Sequence, residues 1–326
     1  MKITIRWLLI SSAVMLVCAA SPLTGKAWGV EGHTLIGQAA AAHLPADLPA
    51  FVRSEAAKRE MAYLQGEEDR LKIGETDETA WVRQWTTDHY IDVGDDNRVA
   101  GVVSLNSLPA TRDGYIAALA RRGKDAYRYG FVPYAILEGY EQVRSDFALW
   151  RLAKAQEQKT PGIGRASNAQ IVHEREALTI HDIGIFSHFV ADASQPLHVS
   201  VHFNGWGRYP NPNGFSTLRT THNDFEDSFV GAFIHLDVVS PLVGRADVFN
   251  TIPLREIESY IAASVVQVTP FYELNKRGAF AMRDYSSATH GDGVRFAATR
   301  MAAGATMLNS LIETAWRTSA GMKPVD

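Results

Sequence analysis

The chain has 326 residues, a formal charge of −4 and a single cysteine. Cys18 lies within the first 27 residues, so the remainder carries no thiol, which excludes disulfides and thiolate metal sites there. Without Lys2, Arg6 and Lys26 the basic residues fall from 32 to 29 against 36 acidic, and the resulting charge of −7 argues against a broad basic face for gripping duplex DNA. An anionic substrate stays open, because a bound cation reverses the sign locally.

In chain order, MKITIRWLLISSAVMLVCAASPLTGKA (residues 1–27) has the pattern of a secretory signal peptide. Lys2 and Arg6 precede an apolar run, and Gly25 and Ala27 form the small pair before a cut. The run is interrupted by Ser11, Ser12 and Ser21-Pro22 and falls short of a membrane span. The expected product is a secreted or periplasmic chain of residues 28–326, whose 299 residues suffice for one large domain.

The elements that follow read as helices. EGHTLIGQAAAAHL is alanine-rich, while RDGYIAALARRGKDAYRYG and YAILEGYEQVRSDFALWRLAKAQ place apolar residues at helical spacing. NAQIVHEREALTIHDIGIFSHFVADAS predicts one long helix ending near Gln195-Pro196, since the residue before a proline avoids the helical region. GVRFAATRMAAGATMLNSLIETAWRTSAG predicts another, closed by Gly321. Glycine and proline gather at 93–109 and at 203–216, the second forming a candidate rim or lid. The expected fold is all-α, a single multi-helix domain.

The candidate site residues concentrate around HFVADASQPLH. His188 and Asp192 are four apart on the predicted helix and project from one face, although an HxxxD pair alone also fits an ordinary helix-surface pair. His198 follows two residues beyond the helix-breaking Pro196, and His222 and Glu226 form a second pair four apart. Imidazole and carboxylate together suit zinc. DHYIDV supplies His89. Asp69 lies upstream in GEEDRLK, where Glu67 and Glu68, like Asp92 further on, are competing carboxylates. Cleavage after Ala27 would expose Trp28 and place an α-amine, which loses its proton near neutral pH, five residues before His33. On residue logic alone, Trp28 reads first as the start of the core.

WGxxGH at the expected N-terminus, HYID, HxxxDxxQPLH and a later HxxxE resemble, in that order, the zinc-dependent phospholipase C and single-strand-specific nuclease superfamily. The motifs run from Trp28 to Glu226. The resemblance implies an all-α fold holding three zinc ions. It implies that His33 with the Trp28 amine and carbonyl holds one ion, and that Asp69, His89 and His188 hold a second. Asp192 bridges those two, and His198, His222 and Glu226 hold the third. It also implies that Asp69 orients an attacking water, in hydrolysis of a phosphodiester without a covalent enzyme intermediate. His43, His173, His202, His235 and His290 match no motif position. His181, seven before His188, is retained as a candidate to support its ring.

The substrate side of the resemblance divides. WGxxGH is of the nuclease type, whereas HNDFE ends in glutamate as in the phospholipases, and the nuclease GGN motif is replaced by FNGWGRYPNPNGFSTLRTTH. Trp206, Tyr209 and Phe215 in that insert suit base stacking, a quaternary ammonium cage or simple pinning of the loop. Expectation leans to a phospholipid headgroup, with a single-strand nuclease bearing 3′-nucleotidase activity second. A non-catalytic zinc-stabilised binding protein is the third reading. No stable protein partner is implied.

Overall fold

The computed structural model describes residues 28–71, 85–283, 285 and 287–323. The expected signal peptide lies outside the described residues. Among the described residues, no helix is long and apolar enough to cross a membrane.

The fold is all-α. Its main helices are α1 (Gly29–Ala42), α2 (Glu55–Leu64), α3 (Glu67–Arg70), α4 (Arg112–Ala120), α5 (Val132–Lys159), α6 (Ile163–Asp192), α7 (Pro253–Val265), α8 (Val268–Lys276) and α9 (Ala288–Ser319). Hydroxyl caps begin three of them: Ser54 accepts from Ala57 N, Thr111 from Gly114 N and Ser287 from His290 N, each at 3.1 Å. The stretch expected as one helix from Arg112 stops at Ala120, because the chain turns through Gly123 at a φ of +67°. The glycine-rich 93–109 stretch holds the described strands, an antiparallel pair of Arg98–Val99 with Val103–Ser104.

The long helices α5 and α6 form an antiparallel hairpin around Gly162, which takes a φ of +66°. Gly139 on α5 lets Phe186 of α6 approach so closely that a Cβ there would stand 2.8 Å from the Phe186 Cβ. Helix α9 lies against the hairpin and α1, and it buries Ala297, Ala298, Met301, Ala302 and Ala305. Its small residues allow that approach. A Cβ at Gly304 would meet Ser194 Oγ at 3.1 Å, just beyond the end of α6. Trp28, Tyr115, Tyr134, Phe131, Phe147, Phe225, Phe229 and Phe271 are fully buried in a continuous apolar core. That burial, at about 25 cal/mol per Å² of apolar surface, holds the fold without cross-links.

Candidate metal centre

Helix α6 delivers His188 and Asp192 in its last turn and ends there. Gln195 takes an extended conformation before Pro196, and its Oε1 accepts from Leu197 N at 2.6 Å, starting a 3-10 turn that carries His198. Asp69 lies on α3, His33 on α1, and His89 closes a 3-10 turn at Thr87–His89. His222 and Glu226 come from Thr221–Val230, where a short α-turn widens into a π-helix. All eight side chains are buried.

These residues converge in two groups. In the first, Asp192 Oδ1 lies 3.2 Å from His33 Nε2, while Asp192 Oδ2 lies 3.0 Å from His89 Nδ1 and 3.3 Å from His188 Nε2. His89 Nδ1 and His188 Nε2 face each other at 2.9 Å. Asp69 Oδ2 approaches His33 Nε2 at 3.9 Å, and the His33 and His188 rings stack at 3.9 Å. In the second group, His222 Nε2 is 2.7 Å from Glu226 Oε2 and 3.1 Å from His198 Nε2, with His198 Nε2 3.4 Å from Glu226 Oε1.

Backbone carbonyls decide which ring nitrogens face inward. His188 Nδ1 donates to Gln65 O at 2.7 Å, His198 Nδ1 to His89 O at 2.8 Å and His222 Nδ1 to Phe203 O at 2.8 Å. A carbonyl only accepts, so each Nδ1 carries a proton, and each ring presents its Nε2 to its group. Ring nitrogens and carboxylate oxygens therefore converge on common points, away from water. Both oxygens of Asp192 and Oε2 of Glu226 are buried without a hydrogen bond. Such an arrangement suits a cation.

The charged groups respond in that sense. Burial opposes the charge on Asp192, yet His188 and His198 outweigh it and hold the carboxyl well below its usual range. Burial likewise opposes ionisation of Glu226, but His222 and His198 take it down to about 2. Burial works against a charged His198, while Asp192 and Glu226 push it up to about 9. His33, enclosed and beside His188, is shifted down. A metal fits the donor set: donors sharing a tetrahedral zinc at about 2.0–2.2 Å lie roughly 3.3–3.6 Å apart. The separations seen, 2.7–3.4 Å among His198, His222 and Glu226, run from within that edge length to about 0.6 Å below it. Among the described residues, three groups could hold a metal ion, each with its ligand atoms within 4.8 Å of one another: His33–Asp69–His188, His89–His188–Asp192 and His198–His222–Glu226. The second also brings Asp192 to its oxygen-by-oxygen division between His33 and the other two rings.

The carboxylate neighbours of Asp69 have other partners. Glu67 pairs with Arg70 at 3.0 Å, and Glu68 accepts from the Trp85 indole. Trp28 is fully buried, its indole Nε1 donating to Ala191 O at 3.0 Å and Ser194 Oγ at 3.2 Å, against the end of α6. The cut that would free its amine falls at residue 27, outside the described residues. His181 does not support His188: its side chain is 54% exposed and its Nδ1 pairs with Asp182 at 2.8 Å. Seven residues place it about 10 Å up α6 from His188, beyond contact even on a shared face. Trp206 and Phe215 are buried and pin the 203–216 loop, whereas Tyr209 is 44% exposed.

No protein-family model and no curated protein matches the chain. Among solved structures, the chain is similar to two clostridial alpha-toxins. The alpha-toxin of Clostridium absonum aligns over 89% of this chain and 66% of its own, with 15% identity and a TM-score of 0.40. Alpha-toxin of Clostridium perfringens from an avian strain aligns over 91% of this chain and 66% of its own, with 12% identity and a TM-score of 0.37. This chain thus spans just under two thirds of the length of either.

Sequence reasoning passed over the groups that orient the donors. Gln195, noted only as the residue before a proline, donates through Nε2 to Glu226 Oε1 at 2.5 Å. The carbonyls of Gln65, His89 and Phe203 set three rings, and a carbonyl leaves no trace in residue type. The glutamine's place within QPLH, beside a histidine in a helix-breaking turn, was the available signal.

Proposed function

We propose that this chain is a zinc-dependent phosphodiesterase that cleaves the headgroup from a phospholipid in the manner of a phospholipase C. The observation that carries the reading is the convergence of Asp192, through separate oxygens, on His33 and on the His89–His188 pair, next to the His198–His222–Glu226 group. In this reading His33, with the Trp28 amine and carbonyl of a processed chain, would hold one ion, Asp69, His89 and His188 a second, with Asp192 shared by both, and His198, His222 and Glu226 would hold a third.

Bound zinc supplies a water of near-neutral pKa and polarises a phosphoryl oxygen. The chain's own residues prepare the site for both. Asp192 balances positive charge on two sides at once. The Nδ1–H bonds of His188, His198 and His222 leave Nε2 as the atom each ring would offer to an ion. Asp69, buried and facing His33, is the group that orients the attacking water and receives its proton. The tightly held carboxyls of Asp192 and Glu226 stay ionised far below neutral pH and serve as anions rather than as acids.

The headgroup assignment rests on the glutamate of HNDFE, the acidic balance of the chain and half-exposed Tyr209, whose ring suits a quaternary ammonium. Purified protein beginning at Trp28 is assayed with zinc on phosphatidylcholine vesicles and on denatured DNA. Release of the phosphorylated headgroup supports the assignment. Cleavage of DNA without lipid turnover replaces it with the single-strand nuclease reading, and turnover of neither leaves the zinc-stabilised binding protein.

A further inference from the structure

His202 matches no motif, yet it is among the most enclosed histidines of the chain, with 1% of its surface exposed. Its ring lies flat on Trp206, with centroids 3.6 Å apart and planes 15° from parallel. Nε2–H donates to Asp95 Oδ1 at 2.9 Å, and Nδ1 has no hydrogen-bond partner. The His202 carbonyl accepts from Tyr272 Oη at 2.6 Å. An apolar ring would stack on Trp206 equally well and leave no buried nitrogen unsatisfied. The bond to Asp95 is therefore what the histidine adds.

That bond joins two segments that both lead to the donor groups. Ile91 N donates to His198 O at 2.9 Å and Val201 N to Val93 O at 3.1 Å, so residues 91–93 run beside 198–201. Asp95 and His202 continue this pairing by one more tie. Immediately beyond, the Phe203 carbonyl accepts from His222 Nδ1 at 2.8 Å, and the Asn204 side chain accepts from His222 N at 3.2 Å. The next residue, Gly205, has a φ of +78°, and a Cβ there would stand 2.6 Å from the Leu218 carbonyl. The backbone is thus clamped on both sides of the two residues that hold His222.

We propose that His202, bonded to Asp95 and stacked on Trp206, is a positioning residue that fixes the Phe203 carbonyl and Asn204, and through them the ring of His222. The inference rests on the metal reading above and extends it to residues outside the donor set. It assigns Asp95 and His202 to the His198–His222–Glu226 group alone, since neither touches the other donors among the described contacts.

The test is zinc titration of metal-depleted protein against a competing chromogenic chelator, with melting curves alongside. Asp95 is 59% exposed at its side chain, so Asp95→Ala removes the tie with little effect on packing, and Asp95→Asn keeps an accepting oxygen. His202→Phe keeps the stack on Trp206 and loses the tie. Asp95→Ala and His202→Phe are expected to weaken one zinc equivalent by about 10–100-fold, the usual effect of losing an outer partner, and to leave the remaining zinc unchanged. Asp95→Asn is expected to bind as the unaltered protein does. Unchanged binding of every equivalent in His202→Phe overturns the inference, as does uniform weakening of all of them with a lowered melting temperature. An unaltered protein that binds no zinc overturns the metal reading itself.

Discussion

His33 and Asp192 meet through a single oxygen: Nε2 lies 3.2 Å from Oδ1, leaving Oδ2 to His89 and His188 on the other side. A carboxylate in that position links two halves of a centre, and its loss affects both. Asp192→Ala is expected to lower activity by more than about 100-fold, beyond the usual range for an outer partner, and to reduce bound zinc by more than one equivalent. Elemental analysis beside a phosphodiester assay checks both. Asp192→Asn keeps one accepting oxygen but no charge, and is expected to fall between.

Gln195→Leu breaks the 2.5 Å bond to Glu226 and the 2.6 Å bond to Leu197 N, both in a buried setting. A hydrogen bond to a charged group contributes about 1.5–3 kcal/mol. The variant is expected to retain its helices by circular dichroism, lose stability of that order, and bind zinc about 10–100-fold more weakly at one site. Denaturant unfolding and chelator competition measure the two effects separately.

Much of this was legible in the sequence. Residues 188–198 contain the two cues that mattered, an i,i+4 His–Asp pair and a proline that stops the helix, and α6 does end at Asp192. The long helices appear where apolar spacing predicts them, because those segments bury a face against neighbours. The shorter element after Arg112 was overextended, since one glycine at positive φ outweighs the spacing. Less legible was the orientation of the rings. His202 was set aside because its role is to bond Asp95, more than 100 positions away, a relation that only folding creates. His181 had suitable spacing to His188 and points to solvent instead, for spacing on a helix says nothing about where the site ends.

The N-terminus offers a third prediction. Trp28 is buried against the end of α6, so an added residue leaves its indole in place while converting the amine into an amide. Stripped of metal, protein carrying an extra methionine before Trp28 is expected to melt like protein beginning at Trp28; supplied with zinc, it is expected to bind less and turn over more slowly. Equal zinc content in the two forms removes the amine from the site.

A fourth concerns pH and lies away from the donor groups. Burial and the neighbouring Asp182 carboxyl push Asp146, between α5 and α6, up to about 7, against the pull of Gln142 and Arg175. A carboxyl raised in the folded state stabilises it fully below the unfolded value near 4, and that contribution is lost as pH rises through about 7. Asp146→Asn cannot ionise. The variant is expected to melt like the unaltered protein at pH 4 and higher at pH 8, by roughly 2–4 °C for each kcal/mol recovered. The difference between the two melting curves across that range is the quantity to measure.

The central claim is that these buried histidines and carboxylates hold zinc for phosphodiester hydrolysis. Its most direct test is one preparation of the chain beginning at Trp28, measured for zinc by elemental analysis and for hydrolysis of bis(p-nitrophenyl) phosphate before and after chelation. The account predicts three equivalents of zinc, loss of hydrolysis on chelation and its return when zinc is restored. Hydrolysis that persists without metal, or a folded protein that takes up no zinc, would contradict it.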